Sequence, residues 1–184
     1  MADNKHLINC PACGSEMEKV FLPDAGIYVD ICLNGCGGIY FDNRELEKVD
    51  EKHERIDAIL NAIKNKNFKY VDTTEKRICP VCNTPMVKHF MSAKKEVEID
   101  DCYGCGGKFL DNGELQKIRA QYENNAERVA DLRQKVDNNF TQLYQEFLTD
   151  NYTDAELLEN KESDLMTYER KSAIMNFIEK IVNR

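Results

Sequence analysis

Short runs in which apolar and polar residues alternate mark the beginning of the chain, and this period of two predicts half-buried β-strands. The run 27–31 places Ile, Val and Ile around Tyr and Asp. A run at 17–21 before it and a short apolar run at 39–41 after it predict two further strands. The Pro-Asp-Ala-Gly sequence at 23–26 is typical of a turn. We therefore predict a small antiparallel sheet within residues 1–43.

A different spacing follows, with apolar residues three or four positions apart, as on one face of an amphipathic helix. The sequence Asp-Asn-Arg-Glu-Leu at 42–46 has the form of a capping box, in which the glutamate reaches back to the cap residue. One continuous helix is then predicted by a stripe that comprises Leu46, Val49, His53, Ile56, Leu60 and Ile63. Residues 68–77 predict a linker with a short extended piece.

The chain after residue 111 is predicted to be helical. Its apolar stripe comprises Leu115, Ile118, Tyr122, Val129, Leu132, Val136 and Leu143, with Asn125 and Asn139 on the same seam. Residues 149–151 predict a break and residues 153–156 a fresh helix start, so that the last two helices form a hairpin. Three hypotheses fit the stripes: packing within the chain, a homodimer seam, or a groove for a partner helix.

Residues 79–115 repeat residues 10–46 at an offset of 69. Both copies begin with Cys-Pro-x-Cys, pass through a hairpin, and continue with a second cysteine pair, Gly-Gly and Asp-Asn-x-Glu-Leu. The second cysteine pair has three intervening residues in the first copy and two in the second, and the second copy has the longer hairpin. The repeat predicts two units of the same fold.

The eight cysteines could form four disulfides or two metal sites. We expect no secretory signal, because the first residues lead into no apolar run. A protein that remains in a reducing cytoplasm keeps its thiols reduced. Each unit has fewer than about forty residues, a size at which burial alone rarely suffices. Cysteine pairs separated by roughly twenty residues match the spacing of a four-thiolate zinc site, so the sequence favours metal.

The formal net charge is −8 at pH 7, and no long segment carries an excess of lysine and arginine. Nonspecific nucleic-acid binding depends on such an excess, so the charge counts against that class. A local basic face on the second unit would consist of Lys88, Lys94, Lys95 and Lys108, although acidic residues lie among them. No apolar stretch approaches the length of a membrane span.

The repeated motif resembles the bacterial zinc-ribbon family named after transcription factor IIB. The resemblance covers residues 10–46 and 79–115, where the cysteines, Gly-Gly, an aromatic residue, the Asp cap and Glu-Leu occur twice in order. It implies a zinc-ribbon fold with two zinc sites, held by Cys10, Cys13, Cys32 and Cys36 and by Cys79, Cys82, Cys102 and Cys105. Four thiolates per site imply a structural role, since catalytic zinc keeps one position open.

Other candidate chemistry has a simpler explanation. The three histidines, His6, His53 and His89, stand outside the cysteine motifs, and we expect packing or solvent exposure for them. Helix starts explain two carboxylate pairs that could suggest acid–base catalysis, Asp42 with Glu45 and Asp111 with Glu114. We therefore predict no catalytic residues, no further cofactor-binding residues and no enzyme activity.

The predicted fold class is small α+β, with two zinc ribbons attached to a mainly α-helical framework that ends in a helical hairpin. The predicted segments are zinc ribbon 1 at 1–43, a helix and linker at 44–76, zinc ribbon 2 at 77–112 and C-terminal helices at 113–184. The predicted function is a non-enzymatic, cytoplasmic zinc-binding adaptor for a protein partner, within transcription or another multi-protein process. The alternative is a nucleic-acid-binding regulator that uses the second ribbon. Homo-oligomerisation through the heptad-like helices is a further hypothesis.

Overall fold

The architecture comes from a computed structural model that describes residues 7–92 and 94–151, with side chains as far as residue 142. The chain divides into two compact units, Met1–Asn124 and Asn125–Arg184. The first unit contains every described strand and both cysteine repeats, and the second begins with the longest described helix. The candidate metal sites therefore belong to the first unit.

Six strands form a single antiparallel sheet in the order β1-β2-β3-β6-β5-β4. The strands are β1 Glu18–Leu22, β2 Ile27–Ile31, β3 Ile39–Phe41, β4 Val87–Phe90, β5 Glu98–Asp101 and β6 Lys108–Leu110. Each repeat supplies three strands, and the small α+β fold class with two ribbons is confirmed. The alternating pattern did not predict that the two ribbons share one sheet, which they do because β3 pairs with β6.

Residues 46–63 do not form the continuous helix that their apolar stripe predicts. A short 3-10 helix covers Leu46–Lys48, and α1 covers Asp57–Ile63. The Arg119 guanidinium donates to three backbone carbonyl oxygens between them, those of Val49, Lys52 and Glu54. A continuous α-helix would engage these carbonyls with amides four residues further on. A side chain distant in sequence therefore overrides the local spacing.

Within the described residues after 111, the helical sequence is interrupted once. Helix α2 covers Glu114–Gln121, and α3 covers Asn125–Asn151. Tyr122, which the sequence pattern placed on a helical stripe, is extended with ψ of 149°. The Lys94 ammonium lies 4.2 Å from the centroid of the Tyr122 ring and donates to the carbonyl oxygen of Gln121. This contact occupies a carbonyl at the end of α2, where a helix leaves its last carbonyls without partners.

Helix α3 continues through the break predicted at 149–151. The helix start predicted at 153–156 and the C-terminal hairpin lie outside the described residues. The apolar stripe of α3 is half-buried at Val129, Leu132 and Val136. Among the helices that the structure describes, none combines the length and the apolar character needed to cross a membrane.

The pairing of β3 with β6 relates the two ribbons by an approximate twofold axis. Tyr40 lies opposite Phe109, and these two residues are separated by the repeat offset of 69. Equivalent residues therefore meet at the centre of the sheet, and their neighbours pair symmetrically, Ile39 with Leu110 and Phe41 with Lys108. The sequence repeat thus becomes a repeat in space.

A row of side chains across all six strands shows this symmetry. From one edge to the other the row runs Lys19, Asp30, Tyr40, Phe109, Asp100 and Lys88. Each outer lysine makes an ion pair with its neighbouring aspartate, at 3.1 Å in ribbon 1 and 2.7 Å in ribbon 2. Both aspartates are buried, and the lysines therefore neutralise charges that would otherwise be costly.

The two faces of the sheet have different neighbours. One face of the sheet forms an apolar core with the helical segments. The strands contribute Val29, Ile31, Ile39, Phe41 and Leu110. The helical segments contribute Leu46, Val49, Ile56, Ile59, Leu115 and Ile118. The opposite face carries Tyr40 and Phe109 together with buried cysteines and two buried methionines, Met17 and Met86. The metal sites therefore lie on the face away from the helices of the first unit.

Candidate metal centres

Each cysteine cluster is assembled from two tight turns at one end of a ribbon. In ribbon 1 the first turn precedes β1 and the second follows β2, and the antiparallel pairing of these strands brings both turns together. The Gly14 amide donates to the Cys10 carbonyl at 2.9 Å, and the Gly37 amide donates to the Cys32 carbonyl at 3.0 Å. Ribbon 2 is built in the same way from the turns beside β4 and β5.

The first cluster consists of Cys10, Cys13, Cys32 and Cys36. The Sγ atoms of Cys10 and Cys36 are 3.4 Å apart, as are those of Cys13 and Cys32. These distances exceed the S–S bond of about 2.0 Å in a disulfide, and all four cysteines are free. The four sulfurs therefore face one another without bonding.

The second cluster consists of Cys79, Cys82, Cys102 and Cys105. The Sγ distance is 3.6 Å between Cys79 and Cys105 and 3.3 Å between Cys82 and Cys102. Cys82 is exposed, whereas Cys79 and Cys102 are buried. The second cluster thus has the same compact arrangement as the first, with one ligand position at the surface.

Both clusters have the size and chemistry of a structural zinc site. A zinc ion at the usual Zn–S distance of about 2.3 Å has sulfurs about 3.8 Å apart in a tetrahedron. The four ligand atoms of each cluster lie within 4.8 Å of one another. Four thiolates complete the coordination of zinc without a place for water. The two four-cysteine clusters fit two structural zinc ions, as the sequence predicts.

The extra residue in the second turn of ribbon 1 is accommodated by Gly35. A β-carbon at this position would lie 2.6 Å from the sulfurs of both Cys13 and Cys32. A side chain there would therefore displace two ligands. The Gly35 amide donates to the Cys32 carbonyl at 3.4 Å, which keeps the longer turn compact and leaves Cys36 within the cluster.

The thiols of the second cluster hold their protons with very different strength. Hydrogen bonds from the hydroxyl and amide of Thr84 lower the pKa of Cys82 to about 6. Burial raises the pKa of Cys102 to about 12. Zinc binds thiolates, so metal binding must displace protons that the buried thiol would otherwise keep at neutral pH.

Hydroxyl groups contact ligand sulfurs in both clusters. Ser15 bonds to Cys13 in ribbon 1, and its equivalent Thr84 bonds to Cys82 in ribbon 2, with an oxygen–sulfur distance of 3.3 Å. A third hydroxyl, that of Tyr40, crosses from ribbon 1 to the sulfurs of the second cluster. Tyr40 is not among the site residues predicted from the sequence. Its signal in the sequence is a tyrosine where the other copy has phenylalanine.

The remaining predicted candidates lie apart from the clusters. The side chain of His53 is 71% exposed, and His89 lies 3.8 Å from the carboxylate of Asp101. His6 lies outside the described residues. The two carboxylate pairs act at helix starts, where the amides of Asp42 and Asp111 donate to glutamates three residues later, at 2.9 and 2.7 Å.

A buried ion-pair network lies beside the second ribbon. The Arg77 side chain is 1% exposed, and its guanidinium lies 3.4 Å from Asp111 and 3.9 Å from Asp100. It also donates to the Asp72 carbonyl at 2.9 Å, which ties the linker to the ribbon. Burial raises the pKa of Asp111, and the Arg77 charge opposes this effect. No pattern in the sequence predicts this network.

Comparison with known families supports the metal assignment. Residues 9–52 and 78–121 each match a TFIIB-type zinc-ribbon family model described as a transcription factor zinc-finger. The matched segments contain both cysteine clusters and all six strands. Helix α1, the linker and helix α3 lie outside them. No curated protein and no solved structure gives a significant match to the chain.

Proposed function

We propose that the chain, in which two tandem segments match the transcription factor zinc-finger family, is a non-enzymatic adaptor that recognises a protein partner. Its place would be in transcription or another multi-protein process. Zinc would hold the ribbons in shape, and the surface of the sheet would carry recognition. The proposal rests on how the ligands of the two clusters are used and on which side chains remain exposed.

The closed ligand sets are the observation that supports this proposal most directly. Each cluster supplies four thiolates, and no histidine or carboxylate of the described residues joins either one. Such a set favours a structural ion over one that activates water, because catalytic zinc keeps a coordination position open. A structural ion leaves recognition to the protein surface around it.

Exposed aromatic side chains offer a docking surface for a protein. Phe21 on β1 and Tyr28 on β2 are 46% and 42% exposed, and their ring centroids are 4.8 Å apart. We call this pair the aromatic corner. Phe90, the equivalent of Phe21 in ribbon 2, is 47% exposed on the opposite outer strand. Exposed apolar side chains that lie together are a common mark of protein–protein contact sites.

The lysines of ribbon 2 count against the nucleic-acid alternative. Lys88 and Lys108 make ion pairs with Asp100 and Asp101, at 2.7 and 3.0 Å. The ammonium of Lys94 is engaged with α2 and Tyr122. A phosphate-binding surface needs lysines whose charge is available to the ligand. The acidic neighbours neutralise most of this face.

The adaptor proposal is tested with the zinc-loaded full chain immobilised as bait in native extract. Proteins that are retained are identified by mass spectrometry, produced in pure form, and titrated by calorimetry. The test variant is Phe21→Ser combined with Tyr28→Ser, and the control is Tyr70→Ser in the linker, where the side chain is 92% exposed. We expect the double variant to lose at least about tenfold in affinity, and the control to bind as the wild type does.

Two outcomes would contradict this proposal. Equal affinity of the wild type and the double variant would exclude the aromatic corner as the docking site. Retention that disappears after nuclease treatment, and that weakens steeply as salt is raised, would favour the nucleic-acid alternative.

A further inference from the structure

Tyr40 belongs to ribbon 1, but its hydroxyl lies at the metal cluster of ribbon 2. The side chain is fully buried, with 0% exposure. Its oxygen is 3.3 Å from the Cys79 sulfur and 3.6 Å from the Cys105 sulfur. A buried tyrosine hydroxyl needs a hydrogen-bond partner, and these sulfurs provide one. The second cluster therefore includes a polar group from the other half of the sheet.

The sheet topology places the hydroxyl there. The pairing of β3 with β6 puts Tyr40 opposite Phe109 at the centre of the sheet. Its ring passes over Gly107, where an added β-carbon would overlap the hydroxyl. Gly107 stands two residues after Cys105 and leaves the space that the tyrosine fills. The approach depends on both ribbons being joined in one sheet.

The direction of the hydrogen bond follows from the chemistry of a metal-bound cysteine. A thiolate has no proton, so it can only accept. The Tyr40 O–H must then donate, with Cys79 as the nearer acceptor. Donation to a ligand sulfur orients it and spreads its negative charge, which is the role of groups just outside a metal's ligand set.

Among the described side chains, the first cluster has no group that matches Tyr40. Phe109 occupies the symmetric position, over Gly38, and has no hydroxyl. The local hydroxyls of Ser15 and Thr84 occur once in each cluster, so they do not distinguish the two. Tyr40 is thus an additional donor to the second cluster.

We propose that Tyr40 is a positioning residue of the second metal centre, whose hydroxyl donates to the zinc-bound Cys79 thiolate and makes zinc retention in ribbon 2 depend on ribbon 1. This inference is independent of the adaptor proposal. It concerns the zinc-loaded chain alone and needs no partner. A purely space-filling role for the tyrosine ring would leave the metal unaffected by loss of the hydroxyl.

The test compares Tyr40→Phe with wild type in the full chain loaded with cadmium-113 in place of zinc. NMR gives one cadmium resonance per cluster, assigned through couplings to the cysteine β-protons. We expect the variant to shift only the resonance of the second cluster. We also expect that cluster to lose metal to a chelator about tenfold faster, within the range typical of groups that support metal ligands. The control Tyr28→Phe removes a half-exposed hydroxyl and should change neither resonance.

A change at neither cluster, or an equal change at both, would overturn the proposal. A second measurement uses the wild type alone, so that its result does not depend on whether the variant folds. The Tyr40 hydroxyl proton should exchange slowly with water and show coupling to the second cadmium through the hydrogen bond. A hydroxyl proton that exchanges as fast as that of Tyr28 would also overturn the proposal.

Discussion

The two ribbons share one sequence motif and one fold, but a different kind of side chain is buried at the start of each. Residue 8 is a buried isoleucine before the first ribbon, whereas the equivalent residue 77 before the second is a buried arginine. Arg77 lies between two aspartates and places its guanidinium 5.9 Å from the Phe109 ring centroid. Apolar packing therefore stabilises the start of ribbon 1, whereas ion pairs stabilise the equivalent place in ribbon 2.

A second difference lies at the centre of the sheet. The equivalent residues Tyr40 and Phe109 have the same ring in the same pairing, but only one has a hydroxyl to offer a sulfur. The metal-binding motif therefore sets the fold of both copies, while residues outside it give each copy its own environment. Similar cysteine spacing does not imply similar metal sites.

Removal of zinc should have the largest effect, because it should unfold both ribbons together and so abolish the difference between them. Structural zinc has an apparent binding free energy of roughly 10–16 kcal/mol in zinc-finger peptides. We expect two zinc ions per chain by elemental analysis and loss of the sheet signal in circular dichroism after chelation. Because the ribbons share one sheet, Cys36→Ser and Cys105→Ser should each broaden NMR signals in both. Fewer than two ions, or a sheet that survives chelation, would contradict this expectation.

Loss of the Arg77 charge should have the next largest effect. Arg77→Met leaves Asp100 and Asp111 buried with less compensation, which typically costs about 3–5 kcal/mol. Urea unfolding of the zinc-loaded protein measures the loss, with Arg44→Met, an exposed arginine, as control. A loss below about 1 kcal/mol would mean that Lys88 alone neutralises the aspartates.

The pH dependence of stability should reveal the titration of the buried Glu114 carboxyl. Burial raises the pKa of its carboxyl to about 7 in the folded protein, above the value of about 4.3 expected in the unfolded chain. The folded state therefore holds the proton more tightly, and stability falls as pH rises through this interval. Glu114→Gln keeps an oxygen that can accept from Asp111 and removes the titration. We expect its stability relative to wild type to rise from pH 5 to pH 8, with the variant clearly more stable near pH 8.

The measurement for Glu114 is urea unfolding of the zinc-loaded variant and wild type at several pH values. Glu47→Gln, at an exposed glutamate in the first ribbon's matched segment, serves as the control for the substitution itself. A difference between Glu114→Gln and wild type that stays constant with pH would rule out the expected titration.

The smallest expected effect concerns the first turn of each ribbon. Gly14 and Asn83 are equivalent, and both have left-handed backbones, with φ of 74° and 58°. Glycine adopts this conformation without steric cost, and asparagine tolerates it. We expect Asn83→Gly to change the unfolding free energy by less than about 1 kcal/mol in favour of folding, and Gly14→Asn to do the opposite. Thermal unfolding of both variants decides the sign.

Local signals predicted the parts of this fold that depend on local chemistry. Alternation at 27–31 and the paired cysteines identify a strand and a metal turn, because neighbouring residues decide both. The prediction of one continuous helix at 46–63 was wrong, because Arg119, far away in sequence, donates to backbone carbonyls within that segment. The contact of Tyr40 with the second cluster could not be predicted, because it requires β3 to pair with β6. The sequence of a three-residue strand is too short to specify which strand it pairs with.

The meeting of β3 and β6 also has a consequence for assembly. Each of these strands covers a hydrogen-bonding edge that would otherwise be open to any extended segment. Two molecules can satisfy the same edges by domain swapping, with ribbon 1 of one chain joined to ribbon 2 of the other. We expect exchanged dimers when zinc is added to concentrated unfolded protein and single chains when it is dilute. Sedimentation velocity separates these products, and single chains at every concentration would mean that the linker prevents exchange.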